Sequence, residues 1–500
     1  MLKVIGSQWS NILLRIVSAL VLTPFMIHYI GAEGYGAWVF LNAVVGYLSM
    51  LQGGLPASSL RHLSEKLGVK DYQGFNDTLA SSLSLFTGMS AVMLAVAGVL
   101  IAISDLVYEA PPSWAFDGRV AFFLATLAIA VTLISNALMT VLEAHDAYLS
   151  RNLAEMSGTL VRTGLTVGLV LWRPTLTLVA VAVLAGELVT LVMLAAMIRR
   201  RFVEVRIGFA GRDRATMRSL FSFSVVVFLL AMGARISYKT DALVIGAALP
   251  MDAVSVYSVA NTLALYLSRL VNGVAEPLMP KATKMRKRGA EDELRVLFLK
   301  WSKVCMSIGL MIGLFLMFLG HAFIAWWINP SFGERVGGVM RILVGSFIFM
   351  LPTSAIGFRF LLGLTRPTNM AVTYVAAGVL NLGISAVLVG RFGLVGVAIG
   401  TAVPNVLLAL VVVQLSCKEL GVSLSRYFAH VVVKPVIASI PIGALLLFLE
   451  RVLPVTKLWG LVVAGVLHLI AFGMLWVLFV YHRDPYLDLR ARLVGRLRRA

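Results

Sequence analysis

Residues 175–201 read TLTLVAVAVLAGELVTLVMLAAMIRRR. Between Thr175 and Ile198 stands a single charge, Glu187, and the run then ends in Arg199, Arg200 and Arg201. About 20 apolar residues in a helix cross the hydrocarbon core of a bilayer, so this stretch is a span with a basic border. The pattern recurs along the chain. Fourteen spans are expected, at roughly 9–30, 36–58, 79–103, 119–142, 155–173, 175–198, 219–247, 254–276, 304–326, 337–362, 368–390, 394–416, 431–450 and 458–481. The basic residues gather in every second gap. Counting those at span edges, 30 of the 43 lie on the side of Met1 and six arginines fall inside spans. The opposite gaps hold Arg119, Arg173, Lys239, Arg335, Arg391, Arg451 and Lys457. By the positive-inside rule both termini are expected in the cytoplasm.

Composition excludes most alternatives. At 59% hydrophobic and 13% charged, the chain lies outside the range of soluble domains. The net charge of +19 would suit nucleic acid, but the positives sit in short loops flanking apolar spans. Topology and anionic lipid headgroups explain them better. Two cysteines, Cys305 and Cys417, give no disulfide framework and no zinc site. Lys3 precedes a full-length span with no small-residue cleavage site after it, so the first helix is expected to stay in the mature protein.

The spacing predicts an all-α polytopic protein of two six-helix bundles plus two C-terminal helices. The expected partition is 1–200, an N-terminal bundle; 201–218, a basic linker; 219–416, a C-terminal bundle; 431–481, two further helices; and 482–500, a basic tail. In Arg483–Ala500, Tyr486, Leu489, Leu493 and Leu497 stand at helical spacing among arginines, the pattern of a helix lying on the inner leaflet. The halves also echo one another at about 218 residues: a hairpin pivoting on Trp172-Arg173-Pro174 matches one pivoting on Arg391-Phe392-Gly393. Paired bundles with a substrate site between them are a recurring transporter design.

The stretch Ile30-Gly31-Ala32-Glu33-Gly34-Tyr35-Gly36-Ala37-Trp38 resembles the opening of bacterial polysaccharide flippases. These belong to the multidrug/oligosaccharidyl-lipid/polysaccharide exporter superfamily. The runs Thr240-Asp241-Ala242-Leu243-Val244-Ile245-Gly246, Val256-Tyr257-Ser258-Val259-Ala260 and Pro277-Leu278-Met279-Pro280 resemble the start of that family's second half. The resemblance implies alternating access in a V-shaped pair of bundles. The cargo it implies is a lipid-linked oligosaccharide, moved outward across the bacterial inner membrane.

Charges inside spans carry the functional reading, because each costs at least ~2.5–3.5 kcal/mol at the bilayer centre and so faces a cavity or a partner. Arg341 and Arg359 lie near span ends and can snorkel to headgroups. Arg15 is roughly 9 Å deep, and Arg235 and Arg269 stand within about one turn of the same depth. Two guanidinium groups cannot shed their charge, and a diphosphate would supply the anion that both match bidentately. Arg235 and Arg269, aided by Arg15 and Arg162, are therefore the candidate diphosphate ligands. Arg162 and Glu187 stand at equal depth on adjacent helices, which fits an internal salt bridge or a titratable Glu187 exposed in one access state. Asp241 competes with Glu187 for a proton or sodium coupling role.

No other chemistry is expected. The seven histidines lack metal-ligand spacing, no phosphate-cradling glycine loop with its lysine appears, and no nucleophile constellation is present. The chain is read as a flippase, not an enzyme, with no cofactor. Its expected partners are a polyprenyl-diphosphate-linked glycan, anionic headgroups and polysaccharide polymerase or chain-length proteins. The rival readings are a peptidoglycan-precursor lipid flippase, a multidrug cation antiporter, and a membrane-embedded polymerase or assembly scaffold.

Overall fold

The computed structural model describes residues 2–103, 112–275, 278, 282, 285, 286, 288–357, 360, 361 and 367–487. Among them every regular element is helical. In chain order these are α1 (Leu2–Leu48), α2 (Leu55–Gly68), α3 (Tyr72–Ala102), α4 (Pro112–Ala144), α5 (Tyr148–Trp172), α6 (Leu176–Arg201) and α7 (Arg214–Ala248). There follow α8 (Met251–Ala275), α9 (Glu291–Trp327), α10 (Pro330–Pro352), α11 (Pro367–Leu420), α12 (Lys434–Val452) and α13 (Leu458–Leu475). Arg359, Pro277, Pro280 and the tail beyond Leu487 lie outside the described residues, as do the side chains of Arg235 and Lys239.

Two of the long elements are each a pair of spans joined end to end. Gly31 in α1 has φ 76° and Gly393 in α11 has φ 55°, a left-handed backbone that a Cβ penalises. Glycine at each point lets the chain leave one span and begin the next without a loop. Both lie where the sequence places turns. Ten helices are long and apolar enough to cross a bilayer, and the two glycine-pivoted pairs are among them. The more charged α5 and α7 complete the set of fourteen spans.

The chain folds as two compact units: Met1–Arg235 with Pro250–Ser255, and Ile236–Leu249 with Val256–Ala500. In the first, α4 packs on α3 and α6, α5 packs on α6, and α1 packs on α5. Its largest apolar cluster joins Leu55, Leu63, Phe75, Leu79, Phe86, Leu133, Leu142, Leu194, Ile198 and Leu220. The basic linker is tied to this unit. Asn76 Nδ2 donates to the Glu204 carbonyl (2.9 Å), the Arg206 N–H donates to Asn76 Oδ1 (2.8 Å), and the Asp213 N–H donates to Ser81 Oγ (3.0 Å).

In the second unit α9 is the spine, packing on α10, α12 and α13. Polar contacts fasten the terminal helices to it at three heights. At the basic end, Lys303 Nζ pairs with Asp484 and donates to the Val480 carbonyl (2.8 Å). Lys303 and Asp484 side chains are 1% and 2% exposed. Asp484 Oδ1 also accepts the backbone N–H groups of Tyr486 (2.9 Å) and Leu487 (3.0 Å). At mid-height, His468 Nε2 meets the Met311 carbonyl at 2.7 Å. At the other end, His321 Nε2 lies 3.3 Å from Glu450 Oε1.

Removing one member of a buried ion pair strands the other charge and costs about 3–5 kcal/mol. Lys303→Ala and Asp484→Ala are each expected to lower the melting temperature of the detergent-purified protein sharply. The exchanged pair Lys303→Asp with Asp484→Lys is expected to recover part of that loss. Additive losses in the exchanged protein, read by thermal unfolding, would refute the clamp.

Candidate functional site

The in-membrane charges of the first unit converge on two helices. Glu155, on the first turns of α5, is the hub. Its Oε2 accepts from Arg15 Nη2 (2.8 Å) and from Asn11 Nδ2 (2.6 Å), and its Oε1 accepts from Arg151 (3.3 Å). Arg15 Nε also donates to Asn11 Oδ1 (3.3 Å), and Arg151 pairs with Glu143. The i, i+4 spacings of Asn11 with Arg15 and of Arg151 with Glu155 place each pair on one helical face. The carboxylate is 9% exposed while the Arg15 side chain is 51% exposed. The network thus holds Arg15 by one edge and leaves the rest of its guanidinium accessible. Glu155, Arg151 and Asn11 are functional candidates that depth alone does not reveal, because Glu155 begins its span and resembles a border residue.

Arg162 lies two turns further along α5. Gly158 and Gly186 let α5 and α6 approach so closely that a Cβ on Gly186 would strike the Arg162 Cβ and the Gly158 carbonyl. The charges that act on Arg162 are Glu187 and Arg15. The pairing expected from equal depth is not formed: among the described residues no ion pair joins Arg162 to Glu187. Glu187 Oε2 instead accepts from Thr132 Oγ1 on α4 at 3.0 Å. Depth fixes height along a helix but not rotation about its axis, and rotation turns Glu187 to α4.

In the second unit Asp241 is 3% exposed. Its Oδ2 accepts from Tyr257 Oη (2.7 Å) and from Thr401 Oγ1 (2.9 Å), and Thr401 Oγ1 accepts from Asn381 Nδ2 (3.0 Å). Among the described residues, Asp241 Oδ1 and Asn381 Oδ1 are buried with no hydrogen-bond partner, as is Ser385 Oγ one turn beyond Asn381. Buried polar atoms almost always find partners, so an acceptor-rich gap of this kind suits a proton or a small hard cation. Tyr257, Asn381 and Thr401 escape sequence reading because they come from three distant helices.

Arg269, on α8, is exposed, and its guanidinium lies 5.6 Å from the centre of the Tyr266 ring. Among the described residues no ion pair of Arg269 occurs. Arg235 lies in α7, its side chain outside the described residues. Arg341 is exposed and donates to the Met317 carbonyl at 3.3 Å.

If Glu155 is the counter-charge of Arg15, the two substitutions must not add. Glu155→Gln is expected to destabilise the protein. Combining it with Arg15→Gln should cost less than the sum, by at least about 0.5 kcal/mol in a double-mutant cycle read by thermal unfolding. Strict additivity would mean that the contact carries no energy.

Comparison with known proteins agrees with the fold. Residues 4–286 match the family described as polysaccharide biosynthesis protein. The "putative O-antigen transporter" of Shigella flexneri is 21% identical over 400 residues, covering 77% of this chain and 90% of that protein. The fold matches the lipid II flippase MurJ in an inward closed conformation with a TM-score of 0.71 at 12% identity, over 93% of this chain and 98% of the other. It matches an inward-facing multidrug resistance transporter of the MATE family with a TM-score of 0.69 at 16% identity, over 81% and 94% of the two chains. The chain is a multi-pass bacterial membrane protein that belongs to the polysaccharide biosynthesis protein family.

Proposed function

We propose that this protein is a flippase. It translocates an undecaprenyl-diphosphate-linked oligosaccharide from the cytoplasmic to the periplasmic leaflet of the inner membrane by alternating access, for cell-surface polysaccharide such as O-antigen, capsule or exopolysaccharide. The O-antigen transporter and the lipid II flippase among its relatives support the cargo class. The observation that carries the reading is Arg269. It is a permanent cation on a membrane-spanning helix, exposed and cushioned by Tyr266, with no ion pair among the described residues. Such a charge stays in hydrocarbon only with a partner or water at hand, and a visiting diphosphate supplies the partner.

Arg15 and Arg162 extend the same logic in the first unit. Glu155 neutralises part of Arg15 at rest, so the membrane does not face a bare charge while no lipid is bound. A diphosphate, carrying more negative charge than one carboxylate, would compete for the accessible edge. Arg235 remains a candidate from its depth. The protein's work in this reading is to lower the crossing penalty of a polar head, and no bond is broken. Asp241 is the coupling group. Loading its buried carboxylate with a proton or sodium would cancel a charge that the fold holds without a basic partner among the described residues.

Arg269→Ala is expected to reduce surface polysaccharide at least about tenfold in a complemented deletion strain, with the protein inserted at normal abundance. Arg269→Lys should restore only part, since charge without the bidentate fork binds phosphate less well. Full export by both variants would sink the clamp. Asp241→Asn, which keeps shape but cannot be neutralised by ion loading, is expected to leave lipid binding intact. It should abolish the dependence of transport on a proton or sodium gradient in proteoliposomes. Unchanged gradient dependence would remove Asp241 from the coupling role.

A further inference from the structure

A second polar feature of the first unit lies apart from the Arg15–Glu155 network and includes Glu187. α1 ends at Leu48, a tight 3-10 turn covers Ser49–Gln52, and α2 starts at Leu55, so the second span is broken inside its apolar stretch. Gly53 at the break has φ 52°. Interrupted membrane helices are a recurring mark of binding sites, because the break exposes polar groups at membrane depth. Gln52, the last residue of the turn, accepts through Oε1 from Asn136 Nδ2 on α4 at 2.9 Å. One helical turn away on the same face of α4 is Thr132, which donates to Glu187 Oε2 on α6. Gln52, Asn136, Thr132 and Glu187 are each half-buried, so the strip they form is partly open.

Their heights form a ramp. Counting from the arginine-rich ends of the expected spans, Gln52 and Asn136 lie about 9 Å in, Thr132 about 15 Å and Glu187 about 17 Å. Four polar side chains climbing toward the bilayer centre are costly decoration for a surface that meets only lipid.

We infer that this strip is a carbohydrate subsite: it hydrogen-bonds hydroxyl and acetamido groups of the glycan while the arginines hold the diphosphate. The inference rests on the flippase reading above and names the part of the cargo that these four residues meet. The chemistry separates the two roles. A diphosphate offers acceptors only, so the Glu187 carboxylate and the Gln52 and Asn136 carbonyl oxygens would repel it. A sugar offers O–H donors to those three oxygens and acceptors to the amide N–H groups and the Thr132 hydroxyl. The two present contacts, Gln52 with Asn136 and Thr132 with Glu187, satisfy the strip at rest and can be exchanged for sugar hydroxyls with little net loss.

The test compares two probes on the purified full-length protein in lipid nanodiscs: undecaprenyl diphosphate alone, and the same lipid carrying a single N-acetylhexosamine. Wild type is expected to bind the sugar-bearing lipid about tenfold more tightly, the worth of one or two well-made hydrogen bonds. Asn136→Ala and the near-isosteric Thr132→Val are expected to bring that ratio close to one while changing affinity for the bare lipid less than about twofold. Thr132→Val preserves packing volume, so it reports on the subsite even where Asn136→Ala unfolds the bundle. Wild type that binds both lipids equally, or variants that lose both alike, overturn the subsite and leave the flippase reading standing. Wild type that binds neither lipid overturns both.

Discussion

An arginine cannot become neutral inside a membrane, and that constraint organises what is distinctive here. Each guanidinium on a spanning helix must reach a border, clasp an acid or face a wet surface where an anion can visit. The structure shows the first two solutions and leaves room for the third. Arg341 is exposed and meets the Met317 carbonyl, and Arg151 closes on Glu143 and Glu155. Arg15 is held at one edge by a nearly buried carboxylate and stays half-open. Arg269 has only an aromatic face among the contacts described for it.

Acids divide by the same rule. Glu155 is spent on arginines and is positional. Asp241 is not: hydroxyls and an amide surround it, and one of its oxygens is buried with no partner among the described residues. A carboxylate so placed is not committed to a basic group among the described residues. Glu187 lies between these cases, bonded to a threonine and balanced at longer range by Arg162. The three acids thus sit in three different settings: paired with arginines, ringed by hydroxyls, and bonded to a threonine.

Much of the architecture is legible from the chain alone, for definite reasons. Apolar length and the alternation of basic gaps locate the spans, and glycine at 31 and 393 marks turns that only a left-handed backbone can make so tightly. What escapes is long-range pairing. Lys303 and Asp484 are far apart in sequence, and Asp484 reads as part of a basic tail on the inner leaflet when it is in fact buried. Arg162 and Glu187 were matched by depth, a coordinate that says nothing of rotation. Glu155, Gln52 and Asn136 stayed hidden because each looks like a border or turn residue until the neighbouring helix is in place. The Tyr257, Asn381 and Thr401 shell around Asp241 is of the same kind, since neutral side chains carry no signal in a charge-based reading.

In the flippase proposed here, charge stranded in these helices exists for a phosphorylated passenger. This is tested most directly by measuring, in nanodiscs of neutral lipid, the affinity of the purified protein for undecaprenyl diphosphate against undecaprenol, which has the same tail and no phosphate. At least a hundredfold preference for the diphosphate, about 2.7 kcal/mol, is expected, falling steeply as salt is raised. Equal affinity for the two lipids would show that the tail alone is recognised and would contradict this reading.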